Sequence, residues 1–264
     1  MSYTHGHADA VLRSHRWRNV YNSAAYLVDR LVPGYSLLDV GCGPGSLTVD
    51  FARRLAPGRV VGIDAEPAIL KEARRTAQQE GVTNVEFHEA DVYALPYDDG
   101  SFDVVHAHQL LQHLEHPERA LEEMARVCKA GGVVAARDGD YSAFTWFPAD
   151  PQLEKWLEIY CAVARANGGE PDAGRRLKSW ALAAGLGDVT SGASVWCFSA
   201  VEDRAWWADL WAERTTTTRL AERAIELGLA SQDELEQIAL AWRRWADHPD
   251  GWFAVLHGEI LCEV

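Results

Sequence analysis

In the first half of the chain, apolar residues follow two alternating rhythms. Short unbroken runs appear as SLLDVG at 36–41, RVVGID at 59–64, NVEFHEAD at 84–91, FDVVHAH at 102–108 and GGVVAARD at 131–138, each bounded by turn-forming residues. Between them, apolar positions recur at helical spacing in LTVDFARRLA at 47–56 and PAILKEARRTAQQEG at 67–81. A third such stretch, PERALEEMARVCKAGG at 117–132, ends in a Gly-Gly stop. Continuous apolar strands are buried on both faces, and strands alternating with helices make parallel crossovers. The pattern predicts an α/β fold with a Rossmann-like, doubly wound sheet over residues 33–141. Upstream, residues 8–31 keep helical spacing up to Pro33-Gly34 and predict one helix.

After residue 140 the rhythm changes. Residues 148–185 read as two helices broken by NGGEPDAG at 167–174, and GDVTSGASVWCFS at 187–199 alternates as a strand does. ERTTTTRLAERAIELG and SQDELEQIALAWRRWA give further helices, and WFAVLHGEILCEV at 252–264 a last strand. The predicted layout is a single sheet completed by 187–199 and 252–264, with a helical cap from 142–186 and 200–250. Most of the 11 Trp lie after residue 140. They predict either a packed aromatic core or a pocket for a flat, apolar ligand.

The densest chemistry is LLDVGCGPG. Asp39 ends the first strand, and Gly41, Gly43 and Gly45 form a GxGxG turn that opens a helix. Glycines there let the backbone approach a ligand closely. Asp64 ends the second strand, where a carboxylate accepts both hydroxyls of a ribose, and Asp91 ends the third, suited to an exocyclic adenine amine. The spacing is not GxGxxG, because Ser46 follows Gly45. Asp39 repels a diphosphate and welcomes an ammonium. A nicotinamide dinucleotide therefore fits poorly.

Over residues 35–140 the chain resembles the class I S-adenosylmethionine-dependent methyltransferases, close to the ubiquinone-biosynthesis C-methyltransferases. LLDVGCGPG is similar to the cofactor loop, Asp64 to the ribose acid and EADVYALPYDDGSFDVV to the adenine segment. LLQHLEHPERALEEMARVCKAGGVV is similar to the stretch that leads to the fifth strand. The resemblance implies a seven-stranded sheet whose last strand, 252–264, is antiparallel. It implies S-adenosylmethionine as cofactor and S-adenosylhomocysteine as product. The expected cofactor residues are Asp39, Gly41, Cys42, Gly43, Gly45, Asp64, Ala65, Asp91, Val92, His108 and Gln109. An N-terminal segment, 1–32, is expected to close over them, with Arg18 or Arg16 on the cofactor carboxylate and Tyr3, Trp17 or Tyr21 as cover.

VVHAHQLLQHLEHP at 104–117 holds four histidines. His106 lies inside the fourth strand and reads as a satisfied core residue; His116 precedes a helix and reads as solvated. His108 and His113 lie at the crevice beyond the strand and are candidate general bases. Their spacing of five does not place two ligands on one helix face, and a metal needs a third ligand such as His5, His7 or His15. No metal is expected. RDGDY at 137–141 leaves the fifth strand at the same crevice. It offers Asp138, Asp140 and Tyr141 as hydrogen-bond partners for a substrate hydroxyl or amine, with Asp140 as a base if desolvated, and turn capping as the alternative. Trp17 and Trp146 complete the expected substrate contacts. Arg175 or Arg176 in EPDAGRR either reaches the pocket or is solvated.

Composition narrows the acceptor. A net charge of −14 over 264 residues disfavours a nucleic-acid substrate. Five scattered cysteines without a CxxC, no apolar leader and no membrane-length apolar stretch predict a cytoplasmic protein without a disulfide framework. The expected function is methyl transfer to O, N or C of a small, partly apolar acceptor, by a monomer or homodimer. The alternatives are a methyltransferase acting on RNA or protein, and a cofactor-binding protein that keeps the methyl, such as a cyclising enzyme.

Overall fold

The computed structural model describes residues 9–264. Its strands are β1 (Leu37–Val40), β2 (Val60–Asp64), β3 (Val85–Glu89), β4 (Phe102–His108), β5 (Cys128–Gly139), β6 (Thr145–Phe147), β7 (Asp188–Phe198) and β8 (Trp252–Glu263). The first five are parallel in the order β3-β2-β1-β4-β5. Helices α1 (Asp9–Arg16), α2 (Val20–Ser23), α3 (Ser46–Leu55), α4 (Pro67–Gln79) and α5 (Pro117–Val127) accompany this half. The cap contributes α6 (Pro151–Ala166), α7 (Leu177–Ala183), α8 (Val201–Thr217), α9 (Arg219–Glu226) and α10 (Gln232–Asp247).

β8 closes the sheet. It runs antiparallel to β5, from Val133 opposite Glu263 to Gly139 opposite His257, and antiparallel to β7 along its whole length on the other edge. The antiparallel last strand is the one the resemblance implied. An eighth strand adds to the expected seven: β6, only three residues long, continues the β5 edge by pairing Thr145 with Ala254. Such a short run leaves no readable alternation.

The single helix expected over 8–31 is instead α1, α2 and a 3-10 turn at Ala25–Arg30. Asn19 breaks it. Its backbone is extended, its side chain accepts from the backbone N–H groups of Tyr21 (3.0 Å) and Asn22 (3.1 Å), and the Asn22 side chain accepts from the Asn19 N–H. This reciprocal cap starts a new helix.

The tryptophans are mostly core. Trp156, Trp207, Trp211, Trp242 and Trp245 pack with Phe253 of β8 and Phe198 of β7, joining the cap to the sheet. Trp156 meets Trp211 edge to face at 4.5 Å and 74°, and Trp242 at 4.8 Å and 84°. The indole nitrogens of Trp156, Trp207 and Trp242 are buried and make no hydrogen bond among the described residues. Tyr141 is buried here, stacked on Phe144 (4.4 Å) and Tyr160 (3.9 Å), and Trp146 stacks on Phe253 at 5.6 Å. Both are bound into cap packing.

Candidate active site

The carboxyl ends of β1 to β4 open onto a cavity of about 660 Å³, within the range of small-ligand sites. The loop after β1 forms its floor. Gly41 and Cys42 donate their backbone N–H groups to the carbonyl of Ile63, tying the loop to β2. Gly41 has φ +74°, and a β-carbon on it would come within 3.0 Å of Leu110 across the cavity. Only glycine holds this conformation cheaply and leaves the space open. Gly45 acts elsewhere. It lies off the wall at the start of α3, and a β-carbon there would sit 2.9 Å from that of Ala73 on α4. Its bareness lets the two helices pack.

Asp64 is half-buried at the rim. Its carboxylate accepts from the N–H of Gly43 (3.0 Å) and of Glu66 (3.0 Å). Loop and acid thus hold each other in place. Asp91 is exposed on the wall and caps the N–H of Tyr93 at 2.9 Å. Asp39 is buried and turns inward: one oxygen accepts from Thr48 (2.6 Å), the other pairs with His106 Nδ1 (2.9 Å). His106 thus lies in the core with one nitrogen paired, while its Nε2 is buried without a hydrogen bond among the described residues.

The far end of the cavity is histidine-rich. His108, at the tip of β4, is buried, and neither ring nitrogen makes a hydrogen bond among the described residues. Burial, then Arg18 and Arg137, hold it well below the ordinary histidine value, so it is neutral. His113 lies in a 3-10 turn, Leu111–His113, where Gln112 Nε2 stands 3.1 Å from its Nε2. Burial, then Arg18, bring His113 down to about 3. Between them Gln109 has φ +50°, a left-handed backbone rare outside glycine. That twist directs its side chain between two partners. Its oxygen accepts from Arg18, and its nitrogen lies 2.8 Å from His257 Nε2. His257 Nδ1 lies 3.1 Å from the Val255 carbonyl, so the ring is neutral with its proton on Nδ1.

Of the residues expected on the cofactor, the structure gathers Arg18, Asp39, Gly41, Cys42, Gly43, Asp64, Ala65, Asp91, Val92, His108 and Gln109 around this cavity, with His113. It leaves others out. Asp140 is buried and clamped by Arg175, whose backbone N–H (2.9 Å) and Nε (2.8 Å) it accepts. That ion pair anchors a turn and lies off the wall. Arg176 pairs with Glu170 at 2.9 Å, and Arg16 with Glu72 at 2.6 Å. Trp17 and Tyr21 line a second cavity of about 340 Å³ with Arg137, Ser194, Trp196 and Glu259. Tyr3, His5 and His7 lie outside the described residues. Among the described residues no three His, Cys, Asp or Glu side chains converge to hold a metal, and no helix is long and apolar enough to cross a membrane.

Sequence reasoning passed over two buried polar groups, His257 and Arg137, and offered a third, Asp138, only as a hydrogen-bond partner for a substrate. His257 and Arg137 both sit on inward positions of strands, a signal visible as polar residues inside apolar runs. Burial draws Arg137 down to about 10, still charged at neutral pH. Asp138, also buried, accepts from the N–H of Gln112 at 3.2 Å and so pins the turn that carries His113. Burial raises it to about 7.

The residues present fit an adenosyl sulfonium cofactor. The open glycine floor, an oriented acid at the end of β2, an exposed acid after β3 and a polar far end follow the order ribose, adenine, amino acid. Comparison with known proteins agrees. Residues 31–205 match the family described as Methyltransferase domain. An uncharacterized methyltransferase of Schizosaccharomyces pombe is 31% identical across 98% of this chain and 95% of its own. A ubiquinone/menaquinone biosynthesis C-methyltransferase of Ectopseudomonas mendocina is 42% identical over 130 residues, 48% of each chain. The YcgJ protein of Bacillus subtilis shares the fold at a TM-score of 0.56 and 20% identity, covering 89% of this chain and 96% of that one. The chain belongs to the methyltransferase family and is a class I S-adenosylmethionine-dependent enzyme related to the ubiquinone-biosynthesis branch.

Proposed function

We propose that the chain methylates a small, partly apolar organic acceptor. The carrying observation is the far end of the cavity, where Leu110, Leu114, His108 and His113 form a wall of apolar groups and uncharged imidazoles. Such a wall, with Arg18 beside it, favours a compact, partly apolar acceptor. The chemistry named for the relative from Ectopseudomonas, C-methylation in quinone biosynthesis, is of this small-molecule class.

In this reading the Gly41–Gly43 backbone and Asp64 seat the adenosine, Asp91 meets the adenine, and Arg18 with Gln109 orients the amino-acid end. When bound, the cofactor supplies an electrophilic methyl for in-line displacement. The protein's work is then positioning and exclusion of water. His113 Nε2 accepts from Gln112, which leaves the ring proton on Nδ1, and the ring borders the acceptor space. With a value of about 3 it is neutral at neutral pH. His108 borders the same space, its two ring nitrogens buried and without a hydrogen bond among the described residues.

Two measurements test this. Calorimetric titration with S-adenosylmethionine, S-adenosylhomocysteine and NAD should show binding of the first two alone, weakened about a hundredfold in Asp64→Ala, which removes charged hydrogen bonds. Incubation with methyl-labelled cofactor and fractionated cell extract should place the label in the small-molecule fraction. Label confined to RNA or protein would overturn the proposed acceptor class.

A further inference from the structure

Arg18 and Gln109 line the cofactor cavity, and a residue behind the wall fixes how they meet. Arg18 stands in the loop between α1 and α2, Gln109 just past β4, and His257 in the middle of β8. His257 is fully buried and is not on the cavity wall. Its ring lies 4.3 Å from that of Trp196 and 6.3 Å from that of His108. Trp196 donates its indole N–H to the Asn22 carbonyl, which ties β7 to the segment that carries Arg18.

The hydrogen bonds among these residues run in one sense only. A guanidinium has donors and no acceptor. The side-chain oxygen of Gln109 therefore faces Arg18, and its nitrogen faces His257 Nε2 at 2.8 Å. An amide nitrogen only donates, so Nε2 accepts and the ring proton is on Nδ1. Nδ1 in turn stands 3.1 Å from the Val255 carbonyl, which only accepts. A donor-only group and an acceptor-only group thus bound the relay, and each link has one allowed direction. Burial, then Arg137 and Arg18, hold His257 well below the ordinary histidine value, which keeps the ring in this neutral form. Gln109 draws on that support, because its backbone is held at φ +50°, a costly conformation outside glycine. Without His257 the amide N–H loses its acceptor, and the side chain is held at one end only.

We propose that His257 is a positioning residue for the cofactor: by fixing the Gln109 amide in one orientation, it sets Arg18 to receive the carboxylate of the amino-acid end. It acts from behind the cavity wall, through Gln109. Its place in FAVLHGEIL, in the middle of an apolar strand, is otherwise one for a hydrocarbon side chain. The proposal rests on the reading above that Arg18 and Gln109 serve the amino-acid end, and it adds the residue that governs them.

The test titrates the full chain by calorimetry with S-adenosylhomocysteine and with 5′-methylthioadenosine, which keeps the thioadenosine and lacks the amino-acid end. His257→Asn keeps a polar group near Val255 but is too short to reach Gln109; His257→Gln restores an acceptor at the Nε2 position. His257→Asn should weaken S-adenosylhomocysteine about tenfold and leave 5′-methylthioadenosine within about twofold, and His257→Gln should recover most of the loss. Arg18→Ala should show the same selective loss, and adding His257→Asn to it should cost less than about twofold more, because the two act in one network. A packing defect would lower both ligands alike. Equal loss for both ligands, no loss, or an undiminished effect of His257→Asn beside Arg18→Ala overturns the proposal. A second measurement needs no variant: nitrogen NMR of the wild-type chain should show the Nδ1–H tautomer of His257, and the Nε2–H tautomer overturns the proposal. Full S-adenosylhomocysteine affinity in Arg18→Ala would instead strike the reading of the amino-acid end, and the proposal with it; selective loss in Arg18→Ala but not in His257→Asn strikes the proposal alone.

Discussion

Asp138→Asn should make the protein more stable, increasingly so as pH rises. Asp138 is fully buried, and burial raises its carboxyl from 3.8 to about 7. In the unfolded chain it ionises near its ordinary value, roughly 3.9. Folding above that value therefore forces the group to take up a proton or to bury a charge. The penalty is absent below about pH 4, grows through the interval and is complete above about pH 7. About three pH units at roughly 1.4 kcal/mol each set a ceiling near 4 kcal/mol. Asparagine removes the charge yet keeps an oxygen for the Gln112 N–H. Urea unfolding followed by tryptophan fluorescence should show the variant ahead by about 1.5 kcal/mol at pH 5 and by up to about 4 kcal/mol at pH 8.5. A difference that stays flat from pH 5 to 8.5, or shrinks, refutes the reasoning. The cost would be tolerated because Asp138 pins the turn on which His113 stands.

Further outcomes follow from other parts of the molecule. Gly41→Ala, with φ +74° and a methyl 3.0 Å from Leu110, should lower stability by about 1–2 kcal/mol and S-adenosylhomocysteine affinity by about tenfold or more; unchanged calorimetric affinity would remove Gly41 from the cofactor floor. His108, His113 and His257 are all held below their ordinary values by burial, so their ring proton resonances should not titrate between pH 5 and 9, and a midpoint near 6.5 for any of them would contradict that. Trp156→Ala should cost about 3–5 kcal/mol, read by thermal or urea unfolding, because it empties a fully packed site. It should leave S-adenosylhomocysteine affinity within about twofold at temperatures where the variant stays folded.

The cofactor half was legible because its signals are local. LLDVGCGPG, the acid ending β2 and the strand–helix rhythm each occupy a few consecutive residues, and backbone rules translate them directly into a fold. The break at Asn19 was visible as a capping residue but competed with an unbroken helical pattern. Whether the tryptophans formed a core or a pocket was decided by partners from α6, α8, α10 and β8, which periodicity does not pair. The same limit applied to Asp140 and Asp138. They are two residues apart in one motif, yet one is neutralised by Arg175 and the other left in a dry site by its neighbours. Arg137, Ser194, His257 and Glu259 come from three strands, and nothing local links them.

β8 has a consequence for how this chain is made. It is the only strand among the described ones that pairs with β5, β6 and β7 alike, and its partners lie from 55 to 130 residues upstream. Until it arrives, β5 and β7 each keep an open edge, and Phe253 is missing from the middle of the tryptophan cluster. Contacts this distant in sequence repay their loop-closure entropy late. During synthesis the nascent chain would therefore expose unpaired strand edges and unfilled aromatic surface until β8 emerges, the interval in which it most needs protection from aggregation.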